Sequence, residues 1–197
     1  MAKADLEPQP DPEPAAGTGS EDHGFTVRPA GRGDVDDFLE MWRRVVAEGI
    51  HVRSDAVRGT ARQYRRMFRR GWTDDEVNLL AMSQGRVIGH LSATREQGAS
   101  TRHLAFIGMA VAKEWRGRGV GSALMAEAIR WGRGVRIEKL ALTVYPHNAA
   151  ARALYRKFGF EEEGRLTGHS KKRVGYLDEI VMGLWLIPRP PSPEIPS

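Results

Sequence analysis

The chain has 197 residues, 41% of them apolar and 28% charged, with no cysteine and a net charge of +5; this is enough for one domain with its own core and excludes a disulfide framework, a thiol nucleophile and a cysteine-held metal. Residues 1–22 hold six acids and one lysine, a net −5, so the remainder carries +10 and suits a polyanionic partner such as a phosphorylated cofactor, nucleic acid or an anionic surface. No apolar run approaches the roughly 20 residues of a membrane span, and MAKADLEPQP at the start lacks the apolar centre of a secretory signal, so a cytoplasmic protein with no membrane partner is expected.

Residues 1–23, rich in Pro, Glu, Asp, Gly and Ala, have too few large apolar groups to offset ordering entropy and are expected to form a disordered acidic tail. Residues 188–197 read the same way. One domain is expected over 24–187. Phe25–Arg28 is a short strand candidate closed by Pro29. Asp34 is placed to cap a helix in which Val35, Phe38, Leu39, Trp42 and Val46 recur at helical spacing. Thr60 is placed to cap a second helix, with Ala61, Tyr64, Met67 and Phe68 on one side and arginines on the other. Asn78–Ser83 and Val87–Thr94 flank a turn at Gln84-Gly85-Arg86 and read as a hairpin. Leu104–Val111 is apolar at all alternating positions and predicts a central strand covered on both faces. Val120, Leu124, Ala128 and Trp131 then recur at helical spacing. Ile137–Tyr145 predicts a strand ended by Pro146. Asn148 is placed to cap a helix with Ala151, Leu154, Tyr155 and Phe158 in one stripe, ended by Gly159 and Phe160. Leu166–Lys172 and Tyr176–Leu186 read as a final pair of strands. The order β-α-α-β-β-β-α-β-α-β-β predicts an α/β domain with a mixed sheet.

The segment between the central strand and the third helix carries the chemistry. Ala112–Arg116 leads into glycines at 117, 119 and 121, with Arg116 and Arg118 beside them, and the loop opens a helix. Glycines let a backbone approach a phosphate and adopt positive φ, and the free N–H groups of a helix start favour an anion. A tight corner is the plain alternative. A Walker loop would need Gly-Lys-Ser/Thr after its second glycine, and none is present. A dinucleotide fingerprint would place its first glycine directly after the strand, and Ala112–Arg116 intervenes here.

Arg116-Gly-Arg-Gly119-Val-Gly121 resembles the acetyl-CoA loop of the GNAT superfamily of N-acetyltransferases. Asn148-Ala-Ala-Ala151-Arg-Ala-Leu154-Tyr155-Arg-Lys-Phe-Gly159-Phe160 resembles the family's second signature. The resemblance covers about four-fifths of the chain, from Phe25 to the last strand. It implies a single-domain α/β fold whose mixed, mostly antiparallel sheet of six to seven strands has helices on both faces. It also implies a wedge between Leu104–Val111 and Ile137–Tyr145 that takes the pantetheine arm of acetyl-CoA. On that reading the main chain of Met109 and Val111 pairs with pantetheine, with Ala110 between them also at the cofactor, and an N–H near Met109 faces the developing oxyanion. Gly117, Arg118, Gly119, Val120, Gly121 and Ser122 hold the pyrophosphate with Arg116 adding charge beside it, while Asn148 and Ala151 contact the cofactor. Gly108 would help the backbone leave regular pairing.

The implied reaction is attack of a primary amine on the thioester in a ternary complex, with Tyr155 protonating the departing thiolate. Helical spacing alone favours a core residue at Tyr155, and it is the two motifs together that turn the reading to the acid. No carboxylate is carried over for the amine's proton, because Leu142 stands at the position of the family's strand glutamate. His90, Glu96, Glu48 and His147 are the candidates, besides Thr143 ordering a water or a water chain to solvent. The stretch from Gly164 to Glu179 resembles small-molecule and amino-acid acetyltransferases, with protein N-terminal acetylation as the alternative. A domain that binds acyl-CoA without turnover is a further alternative, against which Tyr155 argues. The arginines at 58, 62, 65, 66, 69 and 70 read as a solvated helix face rather than a nucleic-acid patch, since no aromatic stacking pattern accompanies them. The expected partner is a small-molecule amine, with neither nucleic acid nor a metal; a homodimer is left open.

Overall fold

The computed structural model describes residues 24–49, 51–52, 59–69 and 71–191. The expected tail at 1–23, residues 192–197 of the expected tail at 188–197, and Arg58 and Arg70 of the arginine-rich segment lie outside the described residues. Strands β1 (Thr26–Pro29), β2 (Glu76–Ser83), β3 (Arg86–Arg95), β4 (Leu104–Val111), β5 (Lys139–Val144), β6 (Glu161–Lys172) and β7 (Gly175–Trp185) form a seven-stranded sheet in the order β1-β2-β3-β4-β5-β7-β6. Neighbours are antiparallel except β4 and β5. Helices α1 (Val35–Ala47) and α2 (Ala61–Phe68) cover one face, where Phe38, Met41 and Phe68 pack on Leu80, Val87 and Ala110. Helices α3 (Val120–Gly134) and α4 (Ala149–Lys157) belong to the other face. There Leu124, Met125, Ala128, Trp131 and Tyr155 join Leu79, Leu91, Leu140 and Leu142 in the main core. A mixed sheet with helices on both faces is therefore what the chain forms.

Local chemistry sets the element ends. Thr60 caps α2 reciprocally with Gln63, the Gln63 N–H donating to Thr60 Oγ1 at 3.3 Å and the Thr60 N–H to Gln63 Oε1 at 2.6 Å. The Asn148 carboxamide accepts from the Ala151 N–H at 3.2 Å and starts α4. Helix α4 ends where the Phe160 N–H reaches the Tyr155 carbonyl and the Gly159 N–H reaches Arg156, with Gly159 at φ 89°. Phe160 then packs on the Tyr155 ring at 5.8 Å, the apolar contact that accompanies this kind of helix end.

Two expectations are corrected. Asp34 does not cap α1 through its side chain. A turn of 3₁₀ helix at Arg32–Asp34 precedes α1, and the Asp34 carboxylate instead accepts from the Gly31 N–H and from both terminal nitrogens of Arg28 at 2.7 Å. Strand β4 is central but not covered on both faces: Phe106 remains 45% exposed and Gly108 is exposed too.

Candidate active site

Strands β4 and β5 pair only through Leu104↔Lys139, Ala105↔Leu140 and Phe106↔Ala141. Beyond that point both strands continue, to Val111 and Val144, without pairing to each other. The His103 carbonyl accepts from Glu138 and Lys139, while the Ala112 N–H donates to Ile88. Since successive residues of a strand turn their main-chain groups to opposite edges, Ile107, Met109 and Val111 present theirs to the gap. The gap opens into a cleft of about 1140 Å³.

The glycine loop stands at one end of this cleft. A turn at Lys113–Trp115 follows β4, and Gly119 is the N-cap of α3. Gly117 and Gly119 have φ of 74° and 85°, a region that residues with a Cβ rarely enter, and a Cβ on either would meet nothing within 4 Å. Gly119 offers no side chain to the first N–H groups of the helix, and the first intrahelical bond at this end is from the Ala123 N–H to the Gly119 carbonyl. The donors of Val120, Gly121 and Ser122 therefore lack intrahelical acceptors, and the helix dipole adds to their pull on an anion. These features fit a diphosphate. Gly121 has a different reason: a Cβ there would lie 2.9 Å from Leu154 Cδ2, so this glycine lets α4 approach α3.

The other sequence-derived residues divide. Met109, Ala110, Val111, Arg116, Gly117, Gly119, Gly121, Ser122, Asn148, Ala151 and Tyr155 all line the cleft; Arg118 and Val120 do not. Val120 is buried in the core, and the exposed Arg118 lies over the Trp115 ring at 5.3 Å. Arg116 is less an anion hook than a tie. Both of its terminal nitrogens bond the Glu48 carboxylate at 2.7 Å, and its Nε donates to the Val111 carbonyl at 3.0 Å. That pairing holds the Glu48 carboxyl below its ordinary pKa and removes it from the proton-acceptor candidates. Glu96 and the exposed His147 do not line the cleft, and Leu142 is buried in the core.

Tyr155 is buried, and that burial pushes its hydroxyl up to about 12. It is therefore protonated across the physiological range and can only donate a proton there. His90 lies on the opposite side of the sheet, packed edge-on against Phe38 at 4.8 Å and Trp42 at 6.4 Å. Burial lowers it to about 4, so it is neutral. Its Nε2 is 3.2 Å from Asn78 Oδ1, and the Asn78 NH₂ donates to Glu76 Oε1 at 2.6 Å. With the amide thus oriented, Nε2 must carry the proton and Nδ1 is left as the acceptor.

Sequence reasoning missed much of this face. Glu76, Asn78, Ser92, Tyr145 and Glu179 line the cleft with Thr143, beneath a rim of Trp42, Val52, Tyr64 and Met67. The Tyr145 hydroxyl is buried with no partner among the described residues. Glu179 is 1% exposed, and one of its oxygens accepts a short hydrogen bond from Ser170. His51, also in the cleft wall, is lowered by burial and by the nearby Arg116. A signal did exist: Glu76 and Asn78 alternate with Val77 and Leu79 in a strand otherwise apolar, and asparagine is disfavoured in strands.

The family model described as the acetyltransferase (GNAT) family matches residues 46–160. The L-amino acid N-acetyltransferase AaaT of Escherichia coli K12 is 37% identical over 105 residues, which are 53% of this chain and 65% of that protein, so the chain spans just under two-thirds of this relative's length. An acetyltransferase of the GNAT family from Streptococcus pneumoniae superposes with a TM-score of 0.76 at 27% identity, over 82% of this chain and 98% of that one. The acetyltransferase yncA from Salmonella typhimurium, solved with its cofactor acetyl-CoA, superposes with a TM-score of 0.76 over 84% of this chain and 96% of its own; at 19% identity it speaks for the fold alone. Matched over more than half its length by the family model, the chain belongs to the GNAT family of acetyltransferases.

Proposed function

We propose that the protein transfers an acetyl group from acetyl-CoA to the primary amine of an amino acid or a related small molecule. The observation that carries this reading is the parting of β4 from β5 directly beside the uncapped start of α3. An extended pantetheine can pair with the free edge at Met109 and Val111 while its diphosphate meets the donors of Gly117 to Ser122. Asn148 and Ala151 stand on the opposite wall. The thioester supplies an activated acyl carbon; this chain's residues orient it, stabilise charge and move protons.

The N–H near Met109 faces the gap and is placed to stabilise the oxyanion. Tyr155, always protonated, gives its proton to the departing sulfur. The amine enters from the α1–α2 side, over the polar floor that begins at Glu76, Asn78 and His90. There His90 Nδ1 is the proton acceptor, with its tautomer fixed through Asn78 by Glu76. Aromatic side chains at Trp42 and Tyr64 form the rim, which suits an amine carrying an apolar side chain.

The deciding measurement is free thiol release from acetyl-CoA with amino acids, polyamines, aminoglycosides and peptides as acceptors. Turnover with amino acids or closely related amines is expected. Turnover confined to peptides would move the assignment to protein N-termini, and cofactor binding with no thiol release from any acceptor would reject catalysis.

A further inference from the structure

One feature takes no part in the cleft. Arg62, Arg65, Arg66 and Arg69 of the α2 segment and Arg32 of the turn before α1 surround a second, open concavity of about 450 Å³. All five are exposed. Among the described residues only Arg65 has an acidic partner, Asp36, at 2.9 Å. Arginines three and four residues apart on a helix repel one another, and α2 has no acid in its first turn to offset them. The helix is held from its other side, by Phe68 in the core and by Tyr64 against Phe38 at 5.3 Å. The arginine face thus opposes the helix it stands on, which points to an anionic ligand.

The same chain holds a matching anion. Residues 1–22 carry Asp5, Glu7, Asp11, Glu13, Glu21 and Asp22 against a single lysine. Gly24 leads directly into β1, whose far end is followed by Arg32. Eight residues separate Gly24 from Arg32, at most about 27 Å of extended chain; Asp11 lies 13 residues before Gly24 and has about 43 Å of reach. Covalent attachment keeps the acidic segment at roughly millimolar effective concentration near the arginines. Prolines at 8, 10, 12 and 14 reduce the freedom it would lose on docking.

We propose that the arginine concavity is the docking site of the chain's own acidic N-terminal segment. The segment neutralises the face and excludes other polyanions from it. This inference is independent of the acetyl transfer.

The test uses the full chain and a fluorescein-labelled peptide of residues 1–22. The wild type is compared with a full chain in which the six acids are replaced by Asn or Gln. The neutralised chain should bind the peptide about tenfold more tightly, because its own segment no longer competes. Adding Arg62→Ala and Arg66→Ala should abolish that gain, and raised salt should weaken it. Unaltered near-ultraviolet circular dichroism shows that these variants remain folded. Equal peptide affinity for wild-type and neutralised chains overturns the proposal, as does a gain that survives the arginine changes. A parallel arm uses a single-stranded RNA oligonucleotide. RNA binding equally to both chains, and lost with the arginines, would make the face a nucleic-acid site acting in trans and would also overturn the proposal.

Discussion

His90 and Tyr155 titrate far from their ordinary values, and burial is the first cause for both. For His90 the pKa falls from 6.5 to about 4 on folding. Between those values the unfolded chain holds a proton that the native chain does not, so stability rises with pH across the window. On the order of 3 kcal/mol is lost as pH falls from 6.5 to 4. Urea midpoints at pH 7 and pH 4.5 should therefore diverge in the wild type and converge in His90→Gln; equal divergence in both would show that another group governs the acid limb. For Tyr155 the expectation is kinetic. Tyr155→Phe should lower kcat by about 10²-fold or more and leave acetyl-CoA affinity within twofold, since a general acid acts on the transition state. A parallel loss of affinity in direct titration would make Tyr155 a packing residue. The burial of Tyr155 was legible in the helical stripe of α4, whereas the environment of His90 was not. A lone histidine in a strand says nothing of the asparagine and glutamate that fix its tautomer, because these come from a neighbouring strand.

At the scale of elements, the loop glycines separate into two kinds. Gly119→Ala forces a left-handed backbone onto a residue with a Cβ, at about 1–2 kcal/mol, and should weaken acetyl-CoA binding with α4 undisturbed. Gly121→Val instead drives a side chain into Leu154, the neighbour of Tyr155. It should lower stability by about 1–3 kcal/mol and turnover more than affinity. Calorimetric titration with parallel thermal melts distinguishes the two patterns, and identical profiles would show that both glycines serve one purpose. The loop, its helix and the cap at Asn148 were readable because each follows from residues close in sequence. The double role of the glycines was not, since Leu154 reaches Gly121 only through tertiary packing. Asp34 misled for a similar reason: its position suggests a cap, but Arg28 across the turn takes the carboxylate.

At the scale of the whole molecule, the mixed sheet with helices on both faces followed from the pattern of elements and the resemblance, whereas the open face of β4 did not. Apolar residues along Leu104–Val111 imply two covered faces, yet Phe106, still paired with Ala141 of β5, is exposed. If acetyl-CoA fills the gap, the amides of Met109 and Val111 should exchange hydrogen more slowly in its presence. At about 100 times its dissociation constant it should add about 2.7 kcal/mol of stability. Unchanged exchange at these two amides would place the cofactor elsewhere. The same gap bears on solubility. Unsatisfied strand edges at a protein's rim recruit other chains and seed aggregates. Here the bare edge is sunk in the middle of the sheet, between the two helical layers, where a slender thread can enter and a second sheet cannot. The fold can thus keep a hungry backbone on permanent offer without becoming adhesive to its own copies.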